Sequence, residues 1–148
     1  MGVTSELAEL AALVIKSGVG IGGLSQDRRD LALAVPALAL PQGQVADEAQ
    51  VNRLLLQALA AQAAFLDTDH VELRRWLVDA GWWQRDGYGR AYERTPLQDL
   101  PEPLRRLTLA LAELDLADWI ATQRDAERSR RAARREAWAN HPDGAAHG

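Results

Sequence analysis

Cysteine is absent from the chain, which excludes disulfides, thiolate nucleophiles and thiolate metal sites and is compatible with a reducing cytoplasm. Histidine occurs only as His70, His141 and His147. Two of the three lie close to the C-terminus, and by spacing they assemble neither a metal triad nor a nucleophile and its base. A protein that is not an enzyme, with no catalytic residue, cofactor or metal, is therefore expected. Phenylalanine and methionine occur once each, β-branched residues are sparse, and the 47% hydrophobic content is supplied largely by Ala and Leu. That balance favours helices over an extended sheet. Runs of about 18 apolar residues are lacking, so no membrane-spanning helix and no membrane partner are expected. Glu6 and Glu9 interrupt the apolar pattern near the N-terminus, which does not read as a secretory signal. A cytoplasmic protein is the expectation.

Positive charge is scarce as well. The formal charge is -4, which argues against nucleic-acid binding through the overall field and restricts any such binding to a local basic surface. Residues 1–122 carry a net -6 and residues 123–148 a net +2. Lys16 is the only lysine.

The best punctuated stretch is Asp69 to Arg94. Asp69 caps a helix, with Glu72 placed to complete a capping box. Leu73, Leu77 and Ala80, with Trp76 beside them, form its apolar face, and Gly81 ends it in a left-handed position. Two short strand-like runs follow, Trp82 to Arg85 and Arg90 to Arg94, around Asp86-Gly87-Tyr88-Gly89. Upstream, Asp47 caps a helix with Gln50 at its third position and a stripe of Val51, Leu54, Leu55, Ala58 and Leu59. The order helix, turn, helix, hairpin predicts a mainly α chain with a small β-hairpin: a winged helix-turn-helix-like core plus a long C-terminal helix. The expected division is an N-terminal helix and Gly-rich linker over 1–24, a winged-helix-like domain over 25–95, a helical extension over 96–140 and a disordered tail over 141–148.

Thr4 or Ser5 is expected to cap the first helix, which ends near Gly18. The Gly18 to Gly23 run has the spacing G-x-G-x-x-G, but a helix precedes it where a dinucleotide site needs a strand. It reads as a helix C-cap and linker. Between Asp30 and Leu40 the pattern satisfies both a two-residue and a helical period, and the expectation is a short helix ending before Pro36 with an extended stretch to Gly43. A long helix is expected from Glu102. Its Leu104, Leu107, Leu111 and Leu114 step by three and four, suited to packing the extension on the domain or to a homodimer running from Leu104 to Ile120.

Val51-Asn52, then Asp69-His70-x-x-Leu73-Arg74-Arg75-x-Leu77-Val78-Asp79-x-Gly81 and a tyrosine-bearing hairpin, resemble a prokaryotic domain of unknown function, number 2087. That family is found alone or appended to ArsR-type helix-turn-helix regulators. The resemblance spans about Asp47 to Arg94. It implies a winged-helix-like fold and a loose link to transcription, with no catalytic residue to carry over. The family's basic stretch before the first helix is replaced here by an Ala- and Leu-rich run.

In a winged helix the second helix of the motif enters the major groove. DNA or another polyanion would then meet His70, Arg74, Arg75, Arg85, Tyr88, Arg90 and Arg94, arginine serving phosphates and guanine edges. Asp69, Glu72 and Asp79 on the same helix oppose that reading. The alternative is a protein-protein interaction module that keeps the fold without touching DNA, using Trp83, Tyr88 and the same arginines. Trp76 and Trp82 are expected as the buried pair and Trp83 as a surface contact. The arginines from Arg124 to Arg135 read as a solvated helix end or, less simply, as a polyanion grip.

Overall fold

The computed structural model describes residues 2–88 and 90–140. Six helices run in order: α1 Gly2–Val14, α2 Gln26–Ala37, α3 Glu48–Ala60, α4 His70–Asp79, α5 Glu102–Leu111 and α6 Leu116–Asn140. Three strands, β1 Ala46–Asp47, β2 Trp83–Arg85 and β3 Ala91–Arg94, form an antiparallel sheet in the order β1-β3-β2. Ala46 faces Tyr92 on one side of β3, and Trp83, Gln84 and Arg85 face Arg94, Glu93 and Tyr92 on the other. A path α2, β1, α3, α4, β2, β3 with β1 beside β3 is the winged-helix topology. The two-residue β1 is an addition to the expected hairpin. The expected tail over 141–148, with His141 and His147, lies outside the described residues, as does Gly89.

Helix α2 is the centre of the molecule. Every residue from Asp30 to Ala37 is buried, with α1, α3, α4 and α5 packed around it. A helix covered on all sides carries no polar stripe, which is why its sequence fitted two periods at once. The expected break before Pro36 does not occur: the helix runs to Ala37 with Pro36 in its last turn. So late in the helix, proline forfeits a single intrahelical bond, and Leu38 N–H still reaches Ala34 O at 3.0 Å.

Asp30 is the charged residue in this helix that the core encloses, 7% exposed. Burial, and after it the Asp27 carboxylate, raise its carboxyl above the ordinary aspartate range against a smaller opposing pull from Arg29. The folded chain therefore binds this proton more tightly than the unfolded chain, so Asp30 costs stability as pH rises above the usual aspartate value. Asp30→Asn is expected to be at least as stable as the parent at pH 7, with that advantage shrinking as pH is lowered toward 4. Paired urea titrations across that range check it, and a parent more stable than the variant at pH 7 contradicts it.

The first helix begins at Gly2, so Thr4 and Ser5 lie inside it rather than capping it, and it ends at Val14 rather than near Gly18. Gly18 has φ +68, and Val19 forms a single parallel bridge with Leu66. Arg29 holds the glycine-rich run through main-chain oxygens of Ile21 at 3.3 Å and Leu24 at 3.1 Å. The run is a strapped connection leading into α2.

The single long helix expected from Glu102 is two. The chain turns over Ala112 to Asp115, where the Asp115 carboxylate accepts from the Asp118 N–H at 3.3 Å to open α6. Leu104, Leu107 and Leu111 are 2%, 5% and 2% exposed within the chain's own core, and Leu114 packs against it. Of the two duties considered for this row, packing the extension on the domain is the one its burial supports. These side chains are covered within the chain itself. No helix among the described residues is long and apolar enough to cross a membrane.

Candidate functional site

Helix α4 opens as its sequence indicates, with Asp69 Oδ1 accepting from Glu72 N at 2.7 Å. The reciprocal half of the capping box is not made. Glu72 Oε1 instead accepts from the Trp76 indole at 3.4 Å. The complete box is the one at α3, where Asp47 and Gln50 bond reciprocally at 2.8 and 2.9 Å. Gly81 closes α4 with φ +93, and a β-carbon there would meet Pro101 at 3.4 Å. Both the left-handed backbone and the approach of Pro101 favour glycine.

Leu73 and Leu77 of α4 face the core. The opposite side, with Val71, Glu72, Arg75 and Asp79 exposed, faces outward. Between this helix and the hairpin runs a cleft of about 350 Å³, bordered by Val71, Arg74, Arg75, Val78, Asp79, Arg85 and Tyr92. Three guanidinium groups thus stand against one carboxylate. Arg74 is the most constrained of the three, with its side chain 17% exposed. It donates to Asn52 Oδ1 at 2.6 Å, lies 3.4 Å from Glu48 and stacks over Tyr92 at 5.6 Å. It therefore ties α4 to α3 and the sheet, so the expectation that it is a free contact is corrected to a brace. Arg75 and Arg85 are exposed and make no ion pair among the described residues.

At the hairpin tip, Asp86 Oδ1 accepts from the main-chain N–H groups of Tyr88 at 3.2 Å and Arg90 at 2.8 Å. One carboxylate thereby folds the turn. Tyr88 projects, 86% exposed, and Arg90 is exposed beside it. At the base of the hairpin, Thr95 closes the two strands through Trp82 O at 3.0 Å and Gly81 O at 2.8 Å. His70 sits half-exposed in the first turn of α4.

Arg94 does not join this surface. It borders a different cavity, between the core and the C-terminal helices. By the sheet register it lies on the same face of the hairpin as Trp83, Arg85 and Tyr92, so its place at the end of β3 and not its parity separates it from the cleft. Trp83 is inward, 1% exposed like Trp82, whereas Trp76 is half-buried with Arg29 stacked over it at 4.9 Å. The expected assignment of Trp83 to the surface fails because Trp82 precedes the strand, so the two do not alternate across one sheet. Trp83 donates its indole N–H to Ala37 O at 3.1 Å, whereas the buried Trp82 indole N–H has no partner.

The arginine-rich end of α6 is largely consumed by the chain itself. Arg124 donates to Val14 O at 3.0 Å, Ala61 O at 2.7 Å and Gln62 O at 3.2 Å. It sits at the C-terminal ends of α1 and α3, where the helix dipoles favour a cation. Arg128 pairs with Asp125, and Arg130, Arg131 and Arg134 all pair with Glu127. Hydrogen bonds from Arg130 and then Arg134 hold the Glu127 carboxyl below the usual glutamate range. The bond network favours the solvated-helix reading over a polyanion grip. Sequence reasoning missed Arg124 as a clamp, yet its spacing of four from the fully buried Ile120 puts it on the core-facing side of α6.

Among the described residues no cluster of His, Cys, Asp and Glu is arranged to hold a metal ion. Comparison with curated proteins and with solved structures gives no match. Residues 24–94 match the model of a family described as an uncharacterized protein conserved in bacteria, DUF2087. The match begins upstream of the Asp47 boundary expected from the motifs. It takes in α2 and β1, so the matched region includes the Ala- and Leu-rich run. The span from just before α2 to the last residue of β3 takes in the whole winged-helix unit, and over that span the chain is similar to the DUF2087 family.

Proposed function

We propose that this chain is a non-catalytic, transcription-associated winged-helix protein that binds nucleic acid through the outer side of α4 and the hairpin. One observation carries the reading. Arg75 from the helix and Arg85 from the hairpin border one cleft without a carboxylate partner, while Arg90 and Tyr88 stand exposed at the wing tip. Exposed arginines without an ion pair among the described residues suit phosphate contact, and an exposed aromatic beside them suits a sugar-phosphate edge. Arg74, although braced, adds its charge to the same cleft. The contact is local, since the net charge is unfavourable and Glu72 and Asp79 flank the surface. Major-groove docking of α4 with the wing on the neighbouring backbone is the geometry this implies.

A salt titration of duplex binding tests it. With Arg75, Arg85 and Arg90 neutralising about three phosphates, log affinity falls against log salt with a slope of about -3. The triple variant Arg75→Ala, Arg85→Ala, Arg90→Ala brings the slope close to zero, whereas Arg94→Ala leaves it unchanged. No retention of duplex or single-stranded nucleic acid at low salt removes the proposal.

A second reading rests on the same surface. Val71, 44% exposed, with Glu72 and Asp79, makes α4 a mixed face suited to a protein partner. That reading takes precedence when the three arginines are needed for a protein complex but nucleic acid is not bound.

A further inference from the structure

Arg94 ends β3 at a cavity of about 470 Å³ between the winged-helix core and the C-terminal helices. Val35, Leu38, Leu111 and Leu116 line it with apolar surface, and Thr108 adds a hydroxyl. No carboxylate answers the guanidinium. The Arg94 side chain has neither an ion pair nor a hydrogen bond among the described residues, and the one acid of the wall, Asp115, accepts the capping N–H of α6 at 3.3 Å. Partial burial lowers the Arg94 pKa, and this half-exposed cation has no side-chain partner among the described residues. Cavities of this size that combine apolar walls with a few polar groups are typical of small-ligand sites.

We infer that this cavity binds a small organic carboxylate, its apolar body against the leucines and its carboxylate on the Arg94 guanidinium. The planar fork of arginine matches a carboxylate through two parallel hydrogen bonds. With Asp115 already in the wall, the one cation can pair with at most one further negative charge, and a phosphate dianion would bring more uncompensated charge against the leucines. The site lies apart from the α4 cleft, and it stands whether or not nucleic acid is bound there.

Calorimetric titration of the full chain with octanoate and 1-naphthoate, and with 1-naphthamide as the uncharged counterpart, tests this. At least one of the acids is expected to bind saturably at one site. For the acid that binds, affinity falls at least tenfold in Arg94→Met, and naphthamide binds at least tenfold more weakly than naphthoate where naphthoate binds. Without ligand, Arg94→Met should melt no lower than the parent, because the change removes an unanswered cation; a merely structural arginine would lower it. Ala117→Trp, which fills the cavity from α6 and keeps Arg94, should also abolish binding. Failure of both acids to bind, equal binding of the amide, affinity retained in Arg94→Met, or inorganic phosphate competing as strongly as the acids would each overturn the inference.

Discussion

Trp83→Ala lowers the unfolding free energy by about 3 to 5 kcal/mol, the range for emptying a buried aromatic site. Domains of this size are stable by only about 5 to 15 kcal/mol, so the variant loses a large share of its margin and its urea midpoint falls accordingly. The effect is large because the Trp83 ring is 1% exposed and its N–H caps the end of α2 at Ala37 O. The ring thus joins the hairpin to the central helix. Trp83→Phe should fall between parent and Ala: it keeps most of the apolar area and gives up the N–H bond, while the Ala37 oxygen retains Leu40 N–H at 3.4 Å. Trp82→Phe provides the contrast. That side chain is equally buried but its N–H bonds nothing, so the substitution relieves an unsatisfied donor and costs less than Trp83→Phe. A Trp83→Ala variant within about 1 kcal/mol of the parent would contradict the burial on which this rests.

Arg124→Ala is expected to cost about 2 to 3 kcal/mol. A hydrogen bond from a charged donor contributes about 1.5 to 3 kcal/mol, and Arg124 makes three to main-chain oxygens while remaining partly exposed. Its pKa is lowered by burial first and by Arg128 second, so the desolvation of the cation offsets part of the gain. Arg124→Lys should recover little, because a compact ammonium does not span three carbonyls that a planar guanidinium reaches. Hydrogen exchange gives a second reading: amides of α6 beyond Ile120 lose protection together with the C-terminal turns of α1 and α3. A change confined to α6 would mean the clamp does not join the three helices. The salt slope of nucleic-acid binding should stay as in the parent, since these guanidinium bonds are spent within the chain.

The capped and punctuated elements were legible without coordinates. Asp47 with Gln50, Asp69 and Gly81 act through groups one to three residues away, so local chemistry placed α3 and α4 and the hairpin behind them. Sequence periodicity did not resolve α2, because a helix enclosed by four others needs no amphipathic pattern. Nor did residue type separate the arginines by role. Arg74 braces, Arg124 clamps, Arg94 lines a cavity and Arg75 faces solvent, and only the neighbours that folding brings from α3, α1 and α5 distinguish them.

The sequence alone determined where α3 and α4 begin, where α4 ends and which path the hairpin takes, because caps and turns are short-range hydrogen-bond problems. The bounds of α1, the end of α2 and the break between α5 and α6 it did not determine. Tertiary structure decided which guanidinium groups remain free, since their N–H donors are taken up by carbonyls and carboxylates up to 110 residues away in the chain. It also decided that the leucines of α5 serve the chain's own core. An apolar stripe specifies that it must be covered, and only packing specifies by what.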